Sequence, residues 1–326
     1  MTYSNGFMDM FGLTVPILQA PVGSMTSNAL VRAVGRAGGM GSLAFTGMQP
    51  QDAVAQIAEL NRSRCPYFLN FLLRFGAGCI REAAAARPPA ITFSWGQDAD
   101  LMRDVKRQGV KLGVQIGAPG AVAAAIGAGA DFLIMQGLEA GGHVQSSTAL
   151  AACLARAVTL AGPVPVIAAG GIATGRDIAW ALAQGAQGVM IGTRFVATVE
   201  SRAHAIYKQA LVAAGGGDTA MTNCFDLGWP YAMHRVLRNT TLENWEAAGC
   251  PAAPDRPGEG DVIATEGTEP LVRYMDMPPS HLAVGDIAAA CLYAGSGVGA
   301  IDRIEGAEAL TRRLWRDACA EIGGAA

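Results

Sequence analysis

The 326-residue chain has four histidines, and one of them stands where a side chain could do acid–base work. His143 lies in the stretch QGLEAGGHVQSS, residues 136–147, directly after Gly141 and Gly142 and just past the apolar run 131–137. Paired glycines let the backbone pass close to a ligand. An imidazole with an unperturbed pKa of about 6.5 can take a proton from a carbon acid or hydrogen-bond a developing anion. His204 in ESRAHAIYKQAL and His281 in PPSHLAVG have the setting of structural side chains. Glu139, four residues before His143, either orients it or simply begins the loop. Cys224 in TNCFDLG has no identifiable partner and reads as a buried thiol. Asp131, Asp177 and Asp226 are too scattered for a paired-carboxylate mechanism.

A loop of this kind needs a scaffold, and the sequence repeats one pattern from residue 16 to about 212. A short apolar run is followed by small or polar residues and then by an alanine-rich amphipathic segment ending near a glycine. The apolar runs cover 16–22, 40–45, 67–73, 90–96, 110–117, 131–137, 165–171 and 188–195. Segments such as SNALVRAVGRAG, DADLMRDVKRQG and TGRDIAWALAQG have helical apolar spacing, a Ser, Asp or Thr cap and a glycine exit. Near-continuous apolar strands alternating with helices imply a parallel sheet covered on its outer face, and eight such units close a (β/α)8 TIM barrel. An open doubly wound sheet would require GxGxxG after the first strand, and QAPVGSMTSN lacks it. After residue 212 the rhythm breaks. The expected organisation is a barrel over 1–214, a smaller, mostly helical cap over 215–300, and a returning helix within 301–326 that completes the barrel wall.

Barrels of this class build their sites from the carboxyl ends of the strands. There the first run ends in Gln19, Ala20, Pro21 and Val22, the third carries Asn70, the fifth Gln115, and the sixth ends in Gln136. The last two supply Ala169, Gly170 and Gly171, then Gly192, Thr193 and Arg194. Glycine-rich ends of the seventh and eighth strands are the usual phosphate cradle of this fold. Small or apolar backbone at Ala20 and Pro21, facing amides at Asn70 and Gln115, suits a flat heteroaromatic ring. FMN fits both halves. Taken singly, Asn70 or Gln115 could equally hydrogen-bond within the barrel layers.

The charge balance of 24 Lys plus Arg against 27 Asp plus Glu, net −3, has no basic cluster and argues against a nucleic-acid partner. No uninterrupted apolar stretch reaches the roughly 18 to 20 residues that span a bilayer, and the first twenty residues lack signal-peptide features. A cytoplasmic location without membrane attachment is expected. Seven cysteines from Cys65 to Cys319, with no CxxC pair, point to reduced thiols and no metal site.

The segments PVIAAGGIATGRDIAWALAQGAQGVMIGTRFVATVES, GLEAGGHV and DTAMTNCFDLGWPYAMHRVLRN resemble the nitronate monooxygenase family, formerly the 2-nitropropane dioxygenases. The resemblance runs from PILQAPV to YAGSGVGAI. It implies an FMN-dependent oxidoreductase, a monomer or homodimer, with His143 as the catalytic residue. Ala20, Pro21 and Val22 would then contact the ring, with Asn70, Gln115 and Gln136 meeting its heteroatoms or ribityl chain. Gly142, Gly170, Gly171, Gly192 and Thr193 would hold the flavin chain and phosphate. The implied reaction is oxidation of alkyl nitronates by O2 to a carbonyl compound and nitrite. The same superfamily contains NAD(P)H-dependent reductases of quinones and enoyl thioesters, and a non-enzymatic flavin-binding sensor is the remaining alternative. Val22 where relatives often have Met, Val-Gln after His143, and AGSG near the end depart from the family pattern. These departures are expected on the substrate side.

Overall fold

The structure, a computed structural model, describes residues 3–324. The first two residues of the expected barrel segment and the last two of the returning helix lie outside these. The apolar runs form eight parallel strands: β1 (Ile17–Gln19), β2 (Gly41–Ala44), β3 (Tyr67–Leu72), β4 (Ala90–Ser94), β5 (Lys111–Ile116), β6 (Phe132–Gln136), β7 (Val166–Ala169) and β8 (Gly188–Ile191). Each pairs with its neighbour in sequence, and β8 pairs with β1 with Val189 opposite Ile17. Hydrogen bonds from Met40 N to Ile17 O (3.0 Å) and from Gln19 N to Met40 O (2.9 Å) close the ring. The protein is a (β/α)8 barrel.

Helices begin where the sequence places caps. Ser27 accepts from Leu30 N–H at 3.0 Å, Asp98 caps Ala99–Arg107, and Thr174 forms a capping box with Asp177. The outward faces of the strands and the inward faces of these helices share one apolar core. The barrel interior has its own plug. Phe132 at the start of β6 meets Phe7 at 5.2 Å and Phe11 at 5.8 Å, both from an N-terminal helix, Gly6–Phe11. Gln187 pins that helix by accepting from Phe7 N and Asn5 Nδ2, each at 2.9 Å. Gly113 on β5 leaves room for the Phe132 ring, which a Cβ would strike.

The segment 215–300 contains more strand than expected. Its one α-helix is Thr240–Ala247, with 3-10 turns at Ile287–Ala289 and Ser296–Ala300. The remaining regular structure is β9 (Thr219–Thr222), β10 (His234–Leu237), β11 (Val262–Glu266), β12 (Glu269–Val272) and β13 (Ala283–Gly285). The cap and its helix are present as expected, with these short strands in addition. In physical terms, β11 and β12 are joined by the two-residue loop Gly267-Thr268, with Gly267 at φ 63°, a glycine-first hairpin turn. β10 pairs with β9 on one side and with Gly142–His143 on the other. The last helix, Ala307–Gly324, packs on Gly175–Ala183 and Asn28–Arg36. Gly175 permits that approach, because a Cβ there would lie 2.6 Å from Ala318 N.

The plug predicts a stability effect far from the barrel mouth. Phe7→Ala should lower unfolding free energy by about 3–5 kcal/mol in urea denaturation, the usual range for deleting a buried aromatic ring. A loss under about 1 kcal/mol would show that the helix does not fill the barrel.

Candidate active site

The carboxyl ends of the strands open into a cavity of about 1100 Å³. His143 and every residue that the sequence assigns to the cofactor line it: Ala20, Pro21 and Val22 after β1, Asn70, Gln115 and Gln136 from β3, β5 and β6, and the glycines with Thr193. Their local roles differ. Asn70 accepts from Thr92 Oγ1 at 2.9 Å and lies 3.3 Å from Ser94 Oγ, so it serves the barrel layer while bordering the cavity. Gln115 is half-buried, and its side-chain amide has no hydrogen-bond partner among the described residues, which leaves it for a ligand. Gln136 is engaged elsewhere. Its Nε2 donates to His143 O at 3.3 Å and its Oε1 accepts from Gln145 N at 2.8 Å. It anchors both sides of the histidine while lining the cavity.

Glu139 does not orient His143. Its carboxylate accepts from Leu150 N–H at 2.9 Å, the first residue of the helix Leu150–Ala161, which has no cap from its own N-cap residue Ala149. The histidine is fixed instead by Gln136 and by β10, against which Gly142 (φ 74°) faces Arg235 and His143 faces His234.

The imidazole of His143 sits in an aromatic enclosure. Its centroid is 4.3 Å from Trp229 at a 31° tilt, 5.3 Å from His234, 5.6 Å from Tyr293 and 6.4 Å from Trp95. Its Nε2 is buried without a partner. His234 is itself neutral in a defined tautomer. Its Nε2 accepts from Phe225 N–H at 3.3 Å, so the proton is on Nδ1, which donates to Ala232 O at 2.9 Å. Burial, with a further contribution from His234, pushes His143 down to about 3. A lowered histidine pKa means that the unfolded chain binds more protons between the two values. The corresponding stability is therefore complete above about 6.5 and falls as pH drops toward 3. His143 is an uncharged imidazole throughout the physiological range.

At the ends of β7 and β8 bare backbone strands meet. Gly170 (φ 110°) and Gly171 (φ 72°) lie against the 137–140 turn, where a Cβ would come 3.1 Å from Ala140 N and 2.9 Å from Glu139 Cβ, respectively. Gly295 N–H donates to Thr193 Oγ1 at 2.9 Å, Ser296 N–H donates to Glu139 O at 3.0 Å, and a Cβ at Gly297 would strike Gly171 O. AGSG therefore packs into this glycine-walled hollow. Three loops come this close only because they carry no side chains there. Glycine-rich backbone of this kind, lining the cavity, has the chemistry that phosphate oxygens accept from.

Sequence reading missed the enclosure. Trp95 at the end of β4 was accessible to the strand-end argument, since FSWG ends an apolar run. Trp229 and Tyr293 arrive from 215–300 by tertiary folding and carry no local signal. Among the described residues, no group of three or more His, Cys, Asp or Glu side chains could hold a metal, and no helix is long and apolar enough to cross a membrane.

If Glu139 is a helix cap, Glu139→Ala should cost about 1 kcal/mol of stability, the typical loss of such a cap. His143 should stay equally protected from water, checked by unchanged fluorescence of the neighbouring tryptophans. A spectrum shifted toward exposed tryptophan would assign Glu139 to the enclosure.

Comparison with known proteins agrees with this geometry. The nitronate monooxygenase family profile matches residues 77–317. A nitronate monooxygenase of Pseudomonas aeruginosa is 30% identical over 316 residues, covering 82% of this chain and 89% of the relative. A hydroxy-methyl-oxo-octahydroindene-carboxyl-CoA dehydrogenase of Mycobacterium tuberculosis is 33% identical over 250 residues, covering 73% and 67%. Among solved structures, a nitroalkane oxidase from Streptomyces ansochromogenes (26% identity, TM-score 0.77) covers 98% of this chain and 99% of its own. FabK from Thermotoga maritima (26% identity, TM-score 0.80) covers 99% of each. By the profile match over most of its length and by its relatives, the chain belongs to the nitronate monooxygenase family of oxidoreductases.

Proposed function

We propose that this enzyme binds FMN and oxidises alkyl nitronates with O2 to a carbonyl compound and nitrite. The observation that carries the reading is His143: an uncharged imidazole, its buried Nε2 without a partner, lining the same cavity as the glycines at the ends of β7 and β8. In this reading the barrel, 1–214 with 301–326, holds the flavin and 215–300 covers the substrate. Ala20, Pro21 and Val22 bound the ring, and Asn70, Gln115 and Gln136 meet its heteroatoms or ribityl chain. Gly142, Gly170, Gly171, Gly192 and Thr193 hold the chain and phosphate. Bound FMN supplies electron acceptance and reaction with O2.

The protein's own part is to hold an anion in a dry site. A nitronate carries its charge on the nitro oxygens, and a ring N–H of His143 donates to them without competing water. Trp229 and Trp95 exclude that water and offer apolar surface to the alkyl part. A group held down to about 3 is a weak general base near neutral pH, where the best base has a pKa close to the ambient value, so His143 serves as the anion's partner. The second reading is NAD(P)H-dependent reduction of a quinone or enoyl thioester. The relative named as a carboxyl-CoA dehydrogenase favours it, as does a cavity large enough for more than a small nitronate.

The test is oxygen uptake and nitrite release with a preformed alkyl nitronate, after confirming a flavin spectrum in the purified protein. His143→Asn should keep its flavin and lose about 10²- to 10⁴-fold in turnover. A colourless protein that takes up no FMN would contradict the reading, as would full activity in the variant. Loss of FMN with the variant would make the histidine a structural part of the pocket.

A further inference from the structure

A second ionisable group borders the same cavity. Asp276 lines it, has no ion-pair partner among the described residues, and its carboxylate has no hydrogen-bond partner beyond its own residue. The carboxylate lies over Gly228, where a Cβ would collide with it, and the next residue, Trp229, is the one stacked on His143. Tyr293 links the two groups from the other side. Its hydroxyl donates to Asp276 O at 2.6 Å and its ring is 5.6 Å from His143. A carboxylate and a neutral imidazole thus share one wall, backed by the same two aromatic residues.

We propose that Asp276 is the base that removes the α-proton of neutral nitroalkanes in this site, with His143 receiving the resulting charge. This rests on the nitronate reading above. The C–H bond breaks and its proton goes to an Asp276 oxygen. The electron pair forms the C=N bond, and the negative charge moves to the nitro oxygens, where His143 donates. A nitroalkane and a carboxylate become a nitronate and a carboxylic acid, and Asp276 later returns the proton to water. No oxidant enters this step. The other titratable groups near Asp276 are occupied. Tyr293 and Cys291 are held protonated by burial, and Asp226 is paired with Arg256 at 2.5 Å. Burial, with the Asp226 charge adding, raises the Asp276 carboxyl above the ordinary range, which strengthens it as a base relative to His143. Gly228 is the positioning residue, since only a residue without Cβ leaves the carboxylate its place.

The experiment compares nitroethane with preformed ethyl nitronate, and follows α-proton exchange of nitroethane in D2O by NMR under anaerobic conditions. Asp276→Asn should lose about 10²- to 10⁴-fold in nitroethane turnover and exchange, a loss at least about tenfold greater than its loss on preformed nitronate. Asp276→Glu, which keeps a carboxylate, should recover part of the exchange. Asp276→Ser takes the place of the Asn variant if that one does not fold. Unchanged exchange in the Asn and Ser variants overturns the proposal, as does equal loss on both substrates. A wild-type enzyme that oxidises nitronate without exchanging nitroethane also overturns it, yet leaves the nitronate reading intact. A wild type that exchanges nitroethane through Asp276 but does not oxidise nitronate overturns that reading and leaves the base assignment standing.

Discussion

The removal of water from one imidazole is the constraint on which the rest of the site depends. A charged histidine would need full solvation or an ion-pair partner, and His143 is half-buried with no ion pair among the described residues; its ring neighbours are Trp95, Trp229, Tyr293 and a second, neutral histidine. Low polarity around it makes each remaining donor stronger toward an anion than it would be in water. The same enclosure destabilises a cation there, so binding and discrimination between charge states come from one arrangement.

No barrel strand could build that enclosure alone. The histidine loop leaves β6 as a two-residue strand and needs an antiparallel partner, which β10 supplies from almost a hundred residues further along the chain. The segment after the barrel is thus tied to the histidine loop by backbone pairing, by Arg235 donating to Leu138 O at 3.1 Å, and by Gly295 on Thr193. Arg194, 1% exposed at the end of β8, pairs with Glu305 at 2.7 Å and holds the chain where it turns back toward the last helix. Removing one partner of such a buried pair leaves an uncompensated charge, a loss of about 3–5 kcal/mol. The mouth of the barrel and the cover over it are one mechanical unit around the cavity.

Legibility followed the range of the interactions. All eight strands could be read because each is a local apolar run with a cap and a glycine beside it, and the strand-end argument then brought His143, Asn70, Gln115 and the glycines of β7 and β8 to one rim. The plug helix Gly6–Phe11 escaped because six residues carry too little periodicity, and its burial is decided by the ring of strands it enters. The strands of 215–300 are short and paired with distant partners, so their glycines and prolines read as loops. Gln136 and Glu139 were recognisable as polar residues near the histidine. Their hydrogen bonds to Gln145 N–H and Leu150 N–H depend on how the loop doubles back, which sequence spacing does not specify. Asp276 had no local signal at all, standing between two methionines in a loop.

The anion-binding role requires His143 to be uncharged in the folded protein. The most direct measurement is a pH titration of the four histidine side chains by NMR, using histidine labelled with ¹⁵N in the ring. His143 should show the neutral pattern without change from pH 8 to pH 5, because burial holds it down to about 3. His234 should remain the Nδ1–H tautomer beside it. An inflection of His143 near the ordinary histidine value of about 6.5 would mean that water reaches the ring, and would contradict the neutral anion partner described here.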